Sequence, residues 1–274
     1  SPELLAADGL EDLPSVRRLP HGPVDYPSVV ELKTRLLDAA FERFGEREEL
    51  DEFAARNSGW LDDYAIFTVL KRRFGREWSA WPREFRDREK HAIERVRSEN
   101  SREVARVVFG QYVFFRQWDE VRARCMELGI KILGDMPIYP AYDSCDVWAN
   151  PELFKLDERK LPTHVSGVPP DYFSPTGQLW GTPVYRWEEH ERSGFDWWLM
   201  RMEHALRLFD SVRIDHFRGL VAYWEVEAGQ QTAVNGRWVP APAVGLLSAA
   251  RRRFPDLPLV AEDLGVITPD VVEV

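Results

Sequence analysis

Three short apolar runs along the chain each follow a helix-like stretch and end on acidic residues. They span Ile130–Asp135, Val212–Asp215 and Leu259–Asp263. Apolar runs that alternate with helical patterns predict parallel strands joined by helical crossovers, which is the α/β class. Acidic residues at the C-terminal ends of such strands are typical of the active-site floor of a (β/α)8 TIM barrel. Since only three or four such strands are visible, we expect an incomplete barrel.

Apolar positions at helical spacing predict the elements around these strands. One helix is expected to start at Ser28, because Ser28 and Glu31 have capping-box spacing. Other predicted helices cover residues 50–56, 60–74, 101–128, 196–209 and 244–254, and Tyr223–Val226 is a candidate further strand. We therefore predict two parts, a helical insertion subdomain at 1–100 and a partial barrel at 101–274.

The segment 137–192 has no clear periodicity and is rich in proline and aromatic residues. Long loops inside compact domains are usually functional, so we expect one long aromatic loop here. Its rings either fill the core or stack on the flat faces of sugar rings, and the sequence leaves both readings open. These rings are Trp148, Phe154, Tyr172, Phe173, Trp180, Tyr185 and Trp187.

Composition and charge narrow the functional classes. The 274 residues carry a formal net charge of −10, which disfavours binding to nucleic acid. Cys125 and Cys145 are too few for a disulfide framework, and the chain starts without a signal-peptide pattern. No apolar run approaches the length of a membrane span. We expect a cytoplasmic protein that binds neither membranes nor nucleic acid.

The acidic residues at the strand ends are candidate catalytic groups. Arg213, Asp215 and Phe217 would share one strand face, and an Arg beside an Asp favours the ionised carboxylate that a glycosidic nucleophile requires. A structural ion pair explains the same spacing equally well. Glu262, at a comparable register, is a candidate general acid near the apolar residues Val260 and Ala261, or a loop or capping acid.

Two further residues near these acids have candidate roles. Asp135 would bind a sugar hydroxyl or hold Arg213, and His216 would donate a hydrogen bond to a sugar hydroxyl. The sequence contains no HExxH, GxGxxG, GxSxG or P-loop motif, and its histidines are scattered. We therefore expect neither a metal nor an organic cofactor.

Several motifs, taken together, resemble one family. VRIDHFRG at 212–219 is similar to the nucleophile motif of amylomaltases, the 4-α-glucanotransferases of the α-amylase-like superfamily. LVAEDLG at 259–265 resembles their acid/base motif. The strings GDMPIY at 134–139, DSCDVW at 143–148, GVPPDYFS at 167–174 and GQLWG at 177–181 resemble further family segments in the expected order.

This resemblance implies a retaining double displacement that transfers α-1,4-glucan segments to acceptor sugars. It assigns Asp215 as nucleophile and Glu262 as acid/base, with Asp135, Arg213 and His216 in substrate-binding roles. It also places three aromatic residues, Tyr172, Phe173 and Trp180, along the glucan subsites. An α-glucan hydrolase is the alternative for the whole protein, and a non-catalytic glucan-binding or inactive piece is the alternative for this chain alone.

The extent of the chain differs from the family pattern. Family members carry a third carboxylate in a His-Asp motif on a later strand, and an opening barrel strand, and neither is found here. The resemblance therefore implies that these residues are the central part of a longer enzyme.

Overall fold

The computed structural model describes residues 22–45, 47–263 and 268–274. These residues form two compact units. The first contains the described residues up to Arg76 together with Pro82–Arg124, and the second contains Glu77–Trp81 and the described residues from Cys125 to Val274. Within the described ranges, no helix is both long and apolar enough to cross a membrane.

The first unit is helical, as its periodicity predicts. Its first helix, α1, covers Tyr26–Arg43 and starts two residues before the predicted Ser28. Asp25 is the N-cap, because its carboxylate accepts hydrogen bonds from both the backbone N–H and the hydroxyl of Ser28. The predicted capping box at Ser28 is therefore wrong.

The remaining helices of this region follow closely along the chain. They are α2 (Arg47–Arg56), α3 (Ser58–Phe74), α4 (Arg83–Arg86), α5 (Lys90–Glu99) and α6 (Ser101–Glu127). Aromatic side chains of α2 and α6 pack together, with the ring centroids of Phe53 and Phe115 5.6 Å apart. Helix α6 is continuous across residue 124, where the first unit ends, whereas the sequence suggested a division before that helix.

The second unit contains the β-structure. Its strands are β1 (Leu133–Met136), β2 (His164–Val168), β3 (Gln178–Pro183), β4 (Ser211–Ile214), β5 (Ala222–Glu227), β6 (Gly236–Pro240) and β7 (Leu259–Ala261). Its helices are α7 (Cys145–Ala149), α8 (Trp187–Arg192), α9 (Asp196–Leu208), α10 (Ala243–Arg253) and α11 (Pro269–Glu273).

The predicted barrel strands form a three-stranded parallel sheet in the order β1-β4-β7. Helix α9 leads into β4 and helix α10 leads into β7, which is the expected βαβ pattern. Gly134 is required in β1, because a Cβ there would overlap the Phe209 ring. This sheet is the part of the described chain that matches a TIM barrel.

A second sheet was not expected. Strands β3-β2-β5-β6 form it, and every pairing in it is antiparallel. The candidate strand Tyr223–Val226 is confirmed within β5, but it lies in this sheet and not in the parallel one. The segment 137–192 likewise contains α7, β2, β3 and α8, so the description of it as one long loop is wrong. Its prolines lie mainly between these elements, and each element is too short for its periodicity to be recognised in the sequence.

Most aromatic residues of 137–192 fill the core. Trp148, Phe154 and Tyr185 are fully buried. The Tyr185 ring contacts several others at centroid distances of 5.0–5.8 Å, namely those of Tyr139, Phe154, Trp187, His190, Trp197 and Trp198. Core packing is thus the correct reading for these rings.

Candidate active site

The acidic residues meet at one edge of the parallel sheet. Asp135 in β1 is in register with Arg213 in β4, and Ile214 is in register with Ala261 in β7. The ladder continues one residue further, because the Asp215 N–H donates to Met136 O at 3.0 Å and the Glu262 N–H donates to Ile214 O at 3.1 Å. Asp215 and Glu262 therefore stand at the same level, which confirms their predicted register.

Arg213 contacts all three carboxylates. Its Nε and Nη2 donate to the two oxygens of Asp135, each at 2.8 Å. Nη2 also donates to Asp215 Oδ1 at 3.0 Å, and Nη1 lies 3.5 Å from Glu262 Oε1. The hydrogen bonds that Arg213 donates to Asp135, with the charges of all three acids, raise the pKa of Arg213 above its usual value. One guanidinium group thus holds three carboxyl groups in a fixed arrangement.

The three acids differ in their access to solvent. The side chains of Asp135 and Asp215 are 60% and 44% exposed, whereas that of Glu262 is 14% exposed. Asp215 is accessible to a molecule that approaches from the open side of the sheet. Glu262 is sheltered, but not by the expected residues, because Val260 and Ala261 are themselves exposed.

His216 turns the chain directly after Asp215. Its backbone is left-handed, with φ of 52°, and its N–H donates to Glu262 Oε2 at 2.7 Å. A Cβ at Gly219 would lie 2.9 Å from the His216 ring, so glycine is needed in this turn. Phe217 begins a 3₁₀ turn over Phe217–Leu220 and is buried, so the expected strand face shared with Arg213 and Asp215 ends before it.

The surroundings of the His216 imidazole favour its neutral form. Burial, reinforced by the positive charge of Arg218, lowers its pKa, although the nearby charge of Asp215 opposes this effect. The ring meets Trp180 edge to face, with centroids 4.8 Å apart. Trp180 lies on β3 and is 38% exposed, so the antiparallel sheet brings an accessible indole to the acids.

Tyr172 and Phe173 lie on an exposed turn. Their exposed fractions are 96% and 91%, and their rings contact each other edge to face. Asp171 stabilises the turn, because its carboxylate accepts the N–H groups of Phe173 and Ser174 at 2.9 and 2.7 Å. The structure thus joins Trp180 to the group of Asp135, Arg213, Asp215, His216 and Glu262, and places the other two predicted rings on the surface.

A buried charge network in the antiparallel sheet escaped the sequence analysis. Glu225 in β5 has no exposed side-chain surface and accepts hydrogen bonds from Lys155 at 2.6 Å and from Arg237 at 2.6 and 2.9 Å. Burial disfavours its charge, but these two partners outweigh that effect and keep the pKa of Glu225 below its usual value. The sequence does contain a signal for Glu225, because side chains alternate between the two faces of the strand Tyr223–Val226 and an acidic residue on the buried face must have charged or polar partners.

Comparison with known proteins places this chain in a family. A family model described as 4-alpha-glucanotransferase matches residues 3–274. The chain is 50% identical over 270 residues to the 4-alpha-glucanotransferase of Aquifex aeolicus, covering 98% of this chain and 56% of that protein. It is 51% identical over 259 residues to that of Thermus thermophilus, covering 92% of this chain and 52% of that protein.

A solved structure supports the same assignment. The amylomaltase from Streptococcus agalactiae, determined in complex with acarbose, superposes with a TM-score of 0.93 at 37% identity. The match covers 100% of this chain and 57% of that protein. The fold of this chain is therefore that of the matching part of an amylomaltase, and the chain spans about half the length of the curated relatives it matches.

Proposed function

The chain belongs to glycoside hydrolase family 77, the 4-alpha-glucanotransferases, and we propose that the whole protein containing it transfers segments of α-1,4-glucans to acceptor sugars. The observation that carries this proposal is the contact of one guanidinium group, that of Arg213, with Asp135, Asp215 and Glu262. A cytoplasmic location, expected from the cysteine content, is part of the same proposal.

In the proposed reaction Asp215 is the nucleophile. Its carboxylate attacks the anomeric carbon of a donor glucan while Glu262 gives a proton to the leaving glycosidic oxygen, and a covalent β-glucosyl-enzyme forms. Glu262 then takes the proton from the 4-hydroxyl of an acceptor sugar, whose oxygen displaces Asp215 and restores an α-1,4 bond. The two inversions give net retention.

The geometry around Arg213 supports these two roles. Retaining enzymes hold their carboxyl groups about 5–5.5 Å apart. Asp215 and Glu262 contact the two terminal nitrogens of one guanidinium group, at 3.0 and 3.5 Å, so both carboxyl groups lie around the same cation, as a pair acting on one sugar must. The hydrogen bond from Arg213 to Oδ1 also orients the Asp215 carboxyl group for attack.

Three aromatic residues support the binding of a sugar chain. Trp180 presents an accessible ring beside His216, and the neutral imidazole of His216 is able to donate to a sugar hydroxyl. Tyr172 and Phe173 present two further rings on the same segment of the chain. Apolar ring surfaces near the covalent intermediate favour transfer over hydrolysis when they exclude water and hold the acceptor.

The test uses the whole protein and maltotriose. We expect a ladder of longer and shorter oligosaccharides from the wild type, and loss of that ladder in Asp215→Asn. Asp256→Asn, which changes an exposed acid in the loop before β7, is the matched control and retains the ladder. Products that are only shorter than maltotriose would make the protein a hydrolase, and a ladder from Asp215→Asn would exclude Asp215 as the nucleophile.

A further inference from the structure

Arg218 joins the turn after Asp215 to two other segments of the second unit. It lies in the 3₁₀ turn Phe217–Leu220, and its guanidinium carbon is 4.3 Å from the ring centroid of Trp238 on β6. Its Nη1 donates to the hydroxyl of Thr268 at 2.7 Å. Its Nε is buried and has no hydrogen-bond partner among the described residues, so the ring and the hydroxyl are the contacts that hold it.

Thr268 is itself a defined structural position. It is the N-cap residue of α11, which follows Glu262 along the chain. The hydroxyl of Thr268 also bonds the carboxylate of Asp270, and this bond, with the charge of Arg218, lowers the pKa of Asp270. Arg218 therefore connects the segment that follows the proposed nucleophile with the segment that follows the proposed acid/base.

The turn that Arg218 anchors makes a direct contact with Glu262. The His216 N–H donates to Glu262 Oε2 at 2.7 Å, and this direction depends on the left-handed backbone at His216. Two backbone hydrogen bonds close the turn, from Gly219 N–H to His216 O at 2.8 Å and from Val221 N–H to Arg218 O at 2.9 Å. A turn this short transmits a displacement of Arg218 to the His216 amide.

We propose that Arg218 is a positioning residue for Glu262, holding the His216 turn so that its amide fixes the Glu262 carboxyl group beside the leaving glycosidic oxygen. The inference rests on the proposed glucan transfer. Arg218 touches neither substrate nor the reacting atoms in this scheme. It acts through the His216 amide, with Trp238 and Thr268 as its anchors.

Two glycosyl donors with different leaving groups distinguish the positioning of Glu262 by Arg218 from a general structural role of Arg218. A maltotriose donor needs a proton from Glu262 on the departing oxygen. In α-maltosyl fluoride the C–F bond breaks as the bond to Asp215 forms, and fluoride leaves as an anion without that proton. The value of kcat/KM for fluoride release therefore reports attack by Asp215 alone, whereas the value for maltotriose reports attack and protonation together.

The decisive variant is Arg218→Met in the whole protein. We expect its kcat/KM for maltotriose to fall about 10- to 100-fold, because a displacement near 1 Å is enough for such a loss, and its kcat/KM for fluoride release to fall less than about 3-fold. Arg218→Lys should recover part of the loss, since an ammonium also stacks on Trp238 and donates to Thr268. Arg253→Met removes an arginine that pairs with exposed Glu203, and it should leave kcat/KM for both donors unchanged.

Thr268→Val provides an independent test if Arg218→Met fails to fold. It removes the hydroxyl that Arg218 binds and should give the same preference for the fluoride donor. Equal losses on both donors in a folded variant, or no loss on either, would overturn the positioning role. A wild-type protein that converts neither donor would instead reject the proposed function, so the two failures are distinguishable.

Discussion

Replacement of Arg213 by lysine tests whether planar recognition of the acids, and not positive charge alone, supports activity. The guanidinium makes a two-pronged contact with Asp135 and a further bond to Asp215, each between 2.8 and 3.0 Å. An ammonium group keeps the charge but cannot reproduce this fork. Asp215 would therefore lose the hydrogen bond that orients its oxygen, while Asp135 would retain a cation nearby.

The exposure of the site sets the expected magnitude. A hydrogen bond to a charged group contributes about 1.5–3 kcal/mol, and about 1.4 kcal/mol corresponds to tenfold in rate. Because the Asp215 side chain is 44% exposed, water competes for the carboxylate and the lower end applies. We expect Arg213→Lys to lower kcat/KM about tenfold. Arg213→Gln, which leaves three carboxylates without a cation, should lower it about 100-fold.

The assay is the initial rate of glucose release from maltotriose by the whole protein. Arg253→Lys is the matched control, because the ion pair between Arg253 and Glu203 is more than half exposed on both sides. Such a pair contributes about 0–1 kcal/mol, so this variant should behave as wild type. An Arg213→Gln protein within about twofold of wild type would refute the assignment of the guanidinium as the organiser of the site.

Three further predictions concern the core, the charge network and the aromatic surface. Burial lowers the pKa of His190 from 6.5 to about 4. As pH falls through this window the unfolded chain gains a proton before the folded protein does, so the free energy of unfolding of wild type, measured in urea, should fall by about 3 kcal/mol relative to that of His190→Gln. Parallel curves of unfolding free energy against pH for the two proteins would contradict this prediction. Glu225→Leu should lower the free energy of unfolding by about 3–5 kcal/mol, because it leaves the largely buried Lys155 without its carboxylate, and the double variant Lys155→Met/Glu225→Leu should recover part of that loss. Because the pKa of Glu225 is lowered in the folded protein, the stability that its charge contributes is present above pH about 4.5 and is lost as pH falls below that value. Trp180→Ala should raise KM for maltotriose up to about tenfold with little change in kcat, and an unchanged KM would remove Trp180 from the glucan subsites.

Local patterns in the sequence were sufficient for the longer helices and for the strands of the parallel sheet, but not for the short helices α4, α7 and α8. The long helix predicted at 101–128 is observed at Ser101–Glu127, and the strands before Asp135, Asp215 and Glu262 are all present. Helical and strand periodicities reflect burial of one face, which short-range spacing records directly. The same spacing predicted that Asp215 and Glu262 lie at the same level, each at the C-terminal end of its strand.

The irregular segment shows where such patterns stop. Strands β2 and β3 are short and bounded by prolines, and β2 pairs with β5, about 60 residues further along the chain. A strand whose partner is remote has no local signature that says which sheet it joins. The same limit applies to its rings, because Trp148 is fully buried whereas Tyr172 is 96% exposed and both occur in similar sequence surroundings.

What the sequence determined by itself was the strand ends and the acidic side chains that they carry, since those follow from periodicity and motif; their catalytic roles stay a proposal. What only the tertiary structure decided was which groups share a hydrogen bond. Arg213 bonds Asp135 across 78 positions of the chain, His216 bonds Glu262 across 46, and Arg218 bonds Thr268 across 50. These contacts exist because packing of the crossovers brings remote segments together, and no spacing rule within one segment encodes that packing.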